Sequence, residues 1–191
     1  MTRRILLARG ARGFVDGALS VVLADTFLRG GLSLSEVGVL LTTTLLGSAA
    51  LTLGIGFVGD TRRNLLAASG LLMAATGIGF ACSSHFVPLL AVAFVGTLNP
   101  SAGDVSVFLP LEQSALAREA SGGERTRLLA RYNLCGSLLG AAGSLFGGLV
   151  PRMAKELSVE VLSAERGLFV VYAAIGLLTA MLYRRSKSSA P

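Results

Sequence analysis

The sequence predicts an all-α membrane protein with six transmembrane helices, and three observations lead to this fold class. The 191-residue chain is 52% hydrophobic and 15% charged, with a mean hydropathy of +0.69, which is more apolar surface than a soluble domain of this size can bury. Glycine is abundant at 24 residues and aromatic residues make up only 6%, which favours closely packed helices over a β-barrel with aromatic girdles. Six apolar segments also approach the length of about 20 residues that a spanning helix needs.

The six segments divide the chain into spans joined by short connections, so we expect one transmembrane domain over residues 1–191. The predicted spans are 11–29, 35–58, 65–83, 86–109, 128–150 and 167–183. The fourth is the least clear, because an apolar run continues to residue 117 and would reach about 48 Å as one helix, beyond a hydrocarbon core of about 30 Å. We therefore predict an exit from the bilayer near Pro110 and Glu112, followed by a short cytoplasmic piece over 110–127.

The distribution of Lys and Arg predicts the orientation of these spans. With the N-terminus in the cytoplasm, thirteen of the 17 basic residues fall on the inner side and four on the outer side, as expected from the retention of positive residues in the cytoplasm. Both termini are then cytoplasmic, and the loop GFVGDTRRN between the second and third spans is cytoplasmic as well. We expect a multi-pass protein of the inner (cell) membrane.

Other classes of protein fit the sequence poorly. The net charge of +6 is dispersed among short connections and does not form a basic stripe, so we expect no nucleic-acid partner. Cys82 and Cys135 lack the spacing of metal ligands, and the sole histidine, His85, completes no catalytic or metal set. We therefore expect no metal, no cofactor and no enzymatic activity. Bases and Asp16 interrupt the first apolar segment, so we expect it to remain as an anchor.

Three local patterns carry a resemblance to a known family. The loop between the second and third spans has Gly56, Asp60 and then the bases Arg62 and Arg63. The fifth span contains GSLFGG, residues 143–148, within a glycine stripe at spacings of three and four: Gly136, Gly140, Gly143, Gly147 and Gly148. The end of the fourth span carries Glu112, with basic residues following it. Together with six predicted spans, these patterns resemble the N-terminal half of a major facilitator superfamily transporter.

The resemblance implies a fold of two inverted three-helix repeats and a transport function. Proteins of this superfamily usually have about twelve helices, so it implies that a C-terminal six-helix half is absent here. The expected activity is secondary active transport of a small solute by alternating access, together with a second six-helix half or as a homodimer. The loop departs from the family pattern at Thr61, where a base is usual, and Ser144 replaces the proline that is linked to proton-driven antiport.

The resemblance assigns the charged loop to a latch at the cytoplasmic ends of neighbouring helices. Its members would be Gly56, Asp60, Arg62 and Arg63, and we predict that Glu112 is one partner. In the alternative interpretation, the two arginines only set the topology by contacting anionic lipid headgroups. The glycines Gly140, Gly143, Gly147 and Gly148 are predicted to pack helices closely, at an interface that slides or rocks during transport.

Ionisable groups within a span are costly and therefore mark a pathway or an internal partner. We predict that Asp16, Asn99 and Asp104 contribute to the translocation path, and the two carboxylates suit proton coupling or a cationic solute. Asp16 also fits a helix-start pair with Arg12 near the inner surface, and Asp104 fits a pair with an inner base. Asp25 has the plainer explanation of an ion pair with Arg29, four residues later.

A second function remains open at this point. The chain also fits a truncated or non-transporting six-helix membrane protein that acts as a remnant or as an assembly or regulatory subunit. The sequence leaves the substrate, the coupling ion and the direction of transport undetermined.

Overall fold

The described part of the chain is helical throughout. The computed structural model describes residues 2–57, 62–98 and 106–184, and these residues form seven helices and no strand. The helices are α1 (Thr2–Arg29), α2 (Leu34–Phe57), α3 (Arg62–Cys82), α4 (Phe86–Val95), α5 (Phe108–Glu119), α6 (Gly122–Glu156) and α7 (Val161–Arg184).

Four of these helices are long and apolar enough to cross a membrane: Leu34–Ile55 in α2, Asn64–Cys82 in α3, Gly122–Glu156 in α6 and Val161–Arg184 in α7. α1 has the length, at 28 residues, but carries Arg9, Arg12 and Asp16 between its start and its middle. α4 has 10 residues and would extend only about 15 Å by itself. The described helices therefore establish a multi-pass helical membrane protein, while the count of six spans stays a prediction.

The first loop shows why α1 and α2 end and begin where they do. Gly31 has φ of +95°, a left-handed conformation that suits glycine after a helix C-terminus. α2 then begins with a capping box, in which the Ser33 backbone N–H donates to Glu36 Oε2 at 2.8 Å and the Glu36 N–H donates to Ser33 Oγ at 3.3 Å. These reciprocal bonds satisfy N–H groups that a helix start leaves unpaired.

The predicted fourth span, 86–109, is wrong as one continuous helix. α4 ends at Val95, and Gly96 adopts an extended conformation with ψ of 168°. The Thr97 N–H leaves the helical pattern and donates to Thr76 Oγ1 of α3 at 3.2 Å. The sequence contains a reason for the break, because Pro100 lacks the N–H that would bond to the Gly96 carbonyl in a continuous helix.

Several helices extend beyond the predicted spans, whose limits in the membrane stay predictions. α1 begins at Thr2, ahead of the span predicted from residue 11, and α7 begins at Val161, ahead of the span predicted from residue 167. α6 covers 35 residues, or about 52 Å, and continues through Pro151 beyond the predicted end at residue 150. Within 110–127, where we predicted only a short cytoplasmic piece, α5 forms a helix that ends at Glu119.

Two helix pairs make the most extensive contacts, α1 with α6 and α3 with α7, and α2 packs against α4 less extensively. α1 also contacts α7, which places α1 between two partners. Near one end of the bundle, the rings of Phe27, Phe80 and Phe169 from α1, α3 and α7 cluster with centroids 5.6–6.1 Å apart. Large apolar side chains such as Leu145, 70% exposed, and Leu53, 66% exposed, point outward, as expected for a surface in contact with lipid.

Candidate functional site

The most unusual feature of the interior is a buried ion pair between Arg12 of α1 and Glu112 of α5. Arg12 Nη2 lies 2.7 Å from Glu112 Oε1 and 2.6 Å from Oε2. The two side chains are 2% and 0% exposed. Because charges removed from water are stabilised only by close partners and full hydrogen bonding, such a pair is a strong structural constraint.

Two tyrosine hydroxyls complete the coordination of Glu112. Tyr132 of α6 donates to Oε2 at 2.6 Å, and Tyr183 of α7 donates to Oε1. Each oxygen of the carboxylate therefore accepts one bond from Arg12 and one from a tyrosine. A single buried carboxylate thus joins α1, α5, α6 and α7 at the end of the bundle where α1 and α6 begin and α7 ends. We call Arg12, Glu112, Tyr132 and Tyr183 the ionic cluster.

The local sequence of α5 explains how Glu112 reaches the interior. The buried residues of this helix are Phe108, Leu111, Glu112 and Leu116. They follow one face at helical spacing, so Glu112 is a charged member of an otherwise apolar stripe. Pro110 is in the first turn of α5, where its missing N–H removes no helical bond.

Aromatic rings cover the cationic side of the ionic cluster. Arg12 Cζ lies 3.9 Å from the ring centroid of Phe108, and Arg9 Cζ lies 5.2 Å from that of Tyr132. Cation–π contacts of this kind gain strength when they are desolvated. Arg9 is only 8% exposed, so α1 brings two guanidinium groups, one turn apart, into the interior.

Asp16 lies one turn beyond Arg12 on α1 and is 9% exposed. Its charge interacts with those of Arg12 and Arg9, and with Tyr172 of α7. Among the described residues, Arg12 Nη1 and Arg9 Nε have no hydrogen-bond acceptor. This end of the interior therefore contains two arginines and two carboxylates, of which Glu112 is fully coordinated and Asp16, among the described residues, is not.

Polar contacts continue from Asp16 towards the middle of the bundle. The Tyr172 hydroxyl lies 3.0 Å from Thr97 Oγ1, just after the end of α4. The Thr97 backbone in turn contacts Thr76 of α3. All three tyrosines of the chain, Tyr132, Tyr172 and Tyr183, are thus buried and hydrogen-bonded.

The opposite end of the bundle has its own polar contacts. Arg29 Nε donates to Asp25 Oδ2 at 2.8 Å, so the predicted Asp25–Arg29 pair is confirmed, and both side chains are more than 40% exposed. Glu165 of α7 is fully buried there, and Thr26 Oγ1 donates to its Oε2 at 3.0 Å.

The structure describes only some of the residues predicted for the latch. Asp60 lies outside the described residues, Gly56 falls in the last turn of α2, and α3 begins at Arg62 and Arg63. In the described structure, Glu112 is bonded to Arg12 and to two tyrosines, none of which the latch prediction included. The exchange of Glu112 with the loop arginines therefore stays a prediction.

Two of the three residues predicted for the translocation path, Asn99 and Asp104, also lie outside the described residues. Asp16 is described and is buried, in the interior between α1 and its neighbours. It forms no hydrogen-bonded pair with Arg12, whose Nη2 is bonded to Glu112. Its role in transport stays a prediction.

The glycine stripe of α6 lies against α1. A Cβ at Gly143 would collide with the Phe14 backbone, and one at Gly147 with the Ala18 backbone. Gly140 sits opposite Gly17, where a Cβ on Gly17 would fall 2.8 Å from the Gly140 carbonyl carbon. Gly148 differs from the other three, because a Cβ there would meet none of the described residues within 4 Å and it lies about 100° around the helix from Gly147; its part in helix packing stays a prediction.

Sequence reasoning missed Arg12, Tyr132 and Tyr183 as members of the site. The sequence suggests Arg12 only as a base that sets topology or as a partner of Asp16, and not as the partner of Glu112. The available signal was the small number of tyrosines, since the chain has three and no tryptophan. A tyrosine hydroxyl that is buried usually needs a hydrogen-bond partner, so each tyrosine within an apolar segment indicates a polar contact there.

The apolar helices define an α-helical integral membrane protein, with the ionic cluster in its interior. The chain belongs to the Major Facilitator Superfamily, whose family model matches residues 5–191.

One relative is known only as a membrane protein. A protein of Saccharomyces cerevisiae named "Uncharacterized membrane protein YJR124C" is 25% identical over 142 residues, which are 72% of this chain and 32% of the yeast protein. The chain thus spans about a third of the length of this curated relative. No solved structure matches the chain.

The tyrosine bonds to Glu112 lead to a stability prediction. Replacing Tyr132 with Phe is expected to lower the free energy of unfolding by about 2 kcal/mol, because a hydrogen bond to a charged group is lost in a buried site. Replacing Tyr172 with Phe removes a bond between two neutral hydroxyls and should cost about 1 kcal/mol. Thermal unfolding of the purified variants measures both changes, and equal losses would contradict the special role of the ionic cluster.

Proposed function

We propose that the chain is one six-helix half of a secondary active transporter that moves a small solute by alternating access. It acts with a second six-helix half, or with a second copy of itself, in the inner membrane with both termini in the cytoplasm. Membership of the superfamily supports this class of activity. The solute and the coupling ion are left open, and the carboxylate of Asp16 suits a proton or a cationic solute.

The pattern of helix pairs supports an inverted-repeat architecture. If α4 with its continuation is the fourth span, α6 the fifth and α7 the sixth, contacts join helices one and five, two and four, and three and six, beside a contact of helix one with helix six that is as extensive as that of two with four. In two three-helix repeats, helices one, two and three correspond to helices four, five and six. Exchanging the repeats therefore converts the pair of helices one and five into the pair of helices four and two, and returns the pair of helices three and six to itself. This is the relation that two repeats with a pseudo-two-fold axis in the membrane plane would have.

The observation that carries the proposal is the ionic cluster beside Asp16. Alternating access by rocking requires that each half move as one body around the solute. The cluster bonds four helices at one end of the bundle, which gives the half this rigidity. Asp16 lies one turn deeper in the bundle, next to the guanidinium groups of Arg9 and Arg12. A change in the charge of Asp16 alters its interaction with these two arginines, and through Arg12 it alters the bonds of the ionic cluster.

The predicted latch gives the cluster a second state. In the described state Glu112 is bonded to Arg12. In the other state of the cycle, Arg62 or Arg63 would replace Arg12 as the partner of Glu112, and Arg12 would turn to Asp16. An exchange of ion pairs between two discrete arrangements is a common basis for switching.

Replacing Asp16 with Asn tests this function. In vesicles that contain the protein together with any second half, we expect the variant to insert normally but to lose at least about tenfold in solute uptake, because a charge interaction of about 1.4 kcal/mol already changes an equilibrium tenfold. Solutes from a cell extract are supplied outside, and those accumulated inside are identified by mass spectrometry. Uptake that depends on an imposed pH gradient would indicate proton coupling.

Asp25→Asn is the matched control, since Asp25 lies on the same helix but is exposed and paired with Arg29. It should retain uptake close to that of the unmodified chain. Normal accumulation by Asp16→Asn would remove Asp16 from the path. If the correctly inserted unmodified protein accumulates no solute from any fraction, the non-transporting alternative is favoured.

A further inference from the structure

A buried glutamate of α7 belongs to a row of three oxygen atoms at the end of the bundle opposite the ionic cluster. Glu165 is fully buried, and its Oε2 lies 3.0 Å from Thr26 Oγ1 of α1. The same Thr26 oxygen lies 2.8 Å from the backbone carbonyl oxygen of Val22. Both distances are those of hydrogen bonds, so the row contains two contacts that each need one hydrogen atom.

The row is short of one hydrogen when Glu165 is ionised. The Thr26 hydroxyl has a single hydrogen, and a carboxylate and a backbone carbonyl can only accept. If Thr26 donates to Glu165, its oxygen and that of Val22 face each other at 2.8 Å with no hydrogen between them. A proton on Glu165 Oε2 reverses the bond, so that Oε2 donates to Thr26 and Thr26 donates to Val22. Each contact then contains one hydrogen.

Other threonines of the chain indicate which way the Thr26 hydroxyl points. A threonine inside a helix can bond to the carbonyl four residues before it, and four more described threonines do so at 2.8–2.9 Å: Thr42, Thr43, Thr52 and Thr76. Thr76 is a close parallel, because its Oγ1 donates to the Leu72 carbonyl and also accepts the N–H of Thr97 at 3.2 Å. At Thr26, the group in the place of that donor is Glu165.

The charge environment of Glu165 also favours its neutral form. Among the described residues, its Oε1 has no hydrogen-bond partner. Arg29 Nε lies 3.7 Å from this oxygen, on a side chain that is 43% exposed, and the same nitrogen is bonded to Asp25 at 2.8 Å. Glu112, by contrast, accepts four bonds, two of them from Arg12. A buried charge without such partners costs far more than a neutral carboxyl.

The elements packed against α7 bring few other ionisable groups to this end. From α1, the charges of Asp25 and Arg29 interact with that of Glu165. α3 and the turn after it carry two exposed groups, Cys82 and His85. The last turns of α6 carry three exposed ones, Arg152, Lys155 and Glu156. On α7 itself, Arg166 donates to Ser84 Oγ at 3.1 Å. The two charges that act on Glu165 are opposite in sign, so they do not replace the partner that Oε1 lacks.

We propose that Glu165 is a proton-binding site, whose Oε2 carries a proton in the described state and donates a hydrogen bond to Thr26 Oγ1. The proton comes from water at this end of the bundle and returns to it. When it leaves, the carboxylate needs a new partner, and Arg29 is placed to close the 3.7 Å gap. Proton release therefore draws the end of α1 towards α7. The site goes beyond the proposed function and does not depend on it, because the proton binds whether or not a solute is carried.

Infrared spectroscopy of the purified protein tests this protonation. The carbonyl stretch of a neutral carboxyl is resolved from the bands of carboxylates and backbone amides. At about pH 7 exposed Asp and Glu side chains are ionised, because their ordinary pKa is about 4, so a neutral-carboxyl band reports buried groups. We expect this band in the unmodified protein, with a shift to lower frequency in D₂O as the proton exchanges with solvent.

Glu165→Gln should lower the intensity of this band by the equivalent of one carboxyl group. Glu156→Gln is the matched control, since Glu156 is 64% exposed, and it should leave the band unchanged. Asp16→Asn measures the contribution of the other buried carboxyl group. A spectrum without the band, or one that is the same in Glu165→Gln and in the unmodified protein, would overturn the proposal.

Thr26 tests where the proton lies. Thr26→Val removes the hydroxyl that accepts from Oε2, so the band should move to the higher frequency of a carboxyl whose O–H has no acceptor. Thr26→Ser keeps the hydroxyl and should leave the band in place. Thr42→Val is the matched control, because Thr42 has the same bond to the carbonyl four residues earlier but lies on α2. An unshifted band in Thr26→Val would contradict the bond between Glu165 and Thr26.

Thermal unfolding distinguishes a neutral Glu165 from a charged one. Glutamine has the shape of a neutral carboxyl, and its NH₂ group can donate to Thr26, so Glu165→Gln should leave the unfolding midpoint unchanged. The same substitution at Glu112 should lower the midpoint, because Arg12 loses its charged partner. If Glu165→Gln lowers the midpoint as much as Glu112→Gln, or prevents folding, Glu165 is ionised and paired with Arg29, and the proposal fails.

Discussion

Replacing Glu112 with Gln is expected to lower the free energy of unfolding by about 3–5 kcal/mol, the cost of leaving a buried charge without its partner. Arg12 would keep its charge in a site where it is 2% exposed, facing a neutral amide. The tyrosine hydroxyls of α6 and α7 would also lose a charged acceptor. Thermal unfolding of the purified protein, followed by the loss of monodisperse protein on size-exclusion chromatography, measures the change.

Glu156→Gln is the matched control for this substitution. Glu156 also pairs with an arginine, at 3.1 Å, but the two side chains are 64% and 79% exposed, and an exposed pair contributes about 0–1 kcal/mol. A double variant, Arg12→Met with Glu112→Gln, should recover part of the loss, because no unpaired charge remains in the interior. A loss at Glu112 no larger than that at Glu156 would contradict the assignment of the cluster as the clamp of this bundle.

The sequence alone identifies a membrane protein, because the length and the apolar composition of each segment can be determined without knowing how the segments pack. Apolar runs of bilayer length cannot be buried elsewhere, and the helices α2, α3, α6 and α7 occur where such runs were identified. The Asp25–Arg29 pair was equally predictable, since residues at i and i+4 share a helix face whatever the rest of the fold does.

The ionic cluster was not predictable in the same way, because its members are far apart in the chain. Arg12 and Glu112 are separated by 100 positions, and only the packing of α1 and α5 against α6 and against each other brings them together. A basic residue at the start of the first predicted span has a sufficient explanation in membrane topology, so the sequence alone does not indicate that Arg12 pairs with Glu112. Hydropathy does not record where α4 ends, because it is unaffected when the backbone leaves the helix at Gly96 and bonds to Thr76; the local signal for a break in this span is Pro100.

Replacing Gly143 with Ala is expected to destabilise the contact between α1 and α6 by about 3 kcal/mol, at the upper end of typical overpacking costs. A Cβ at this position would fall 2.7 Å from the carbonyl carbon of Phe14 and 2.9 Å from its Cα. These are backbone atoms, so no side chain can rotate away, and the two helices must separate. Because Arg12 is only two residues from Phe14 on α1, the separation also strains its bonds to Glu112.

Gly148→Ala is the matched control on the same helix, since it adds the same methyl group where nothing lies within 4 Å. Without a steric conflict, the better helix propensity of alanine should leave stability unchanged or raise it by up to about 1 kcal/mol. Thermal unfolding midpoints of the two variants separate packing from propensity. If Gly143→Ala unfolds at the same temperature as Gly148→Ala, α1 and α6 are not in backbone contact in the membrane. The stripe would then be unable to fix the position of Arg12.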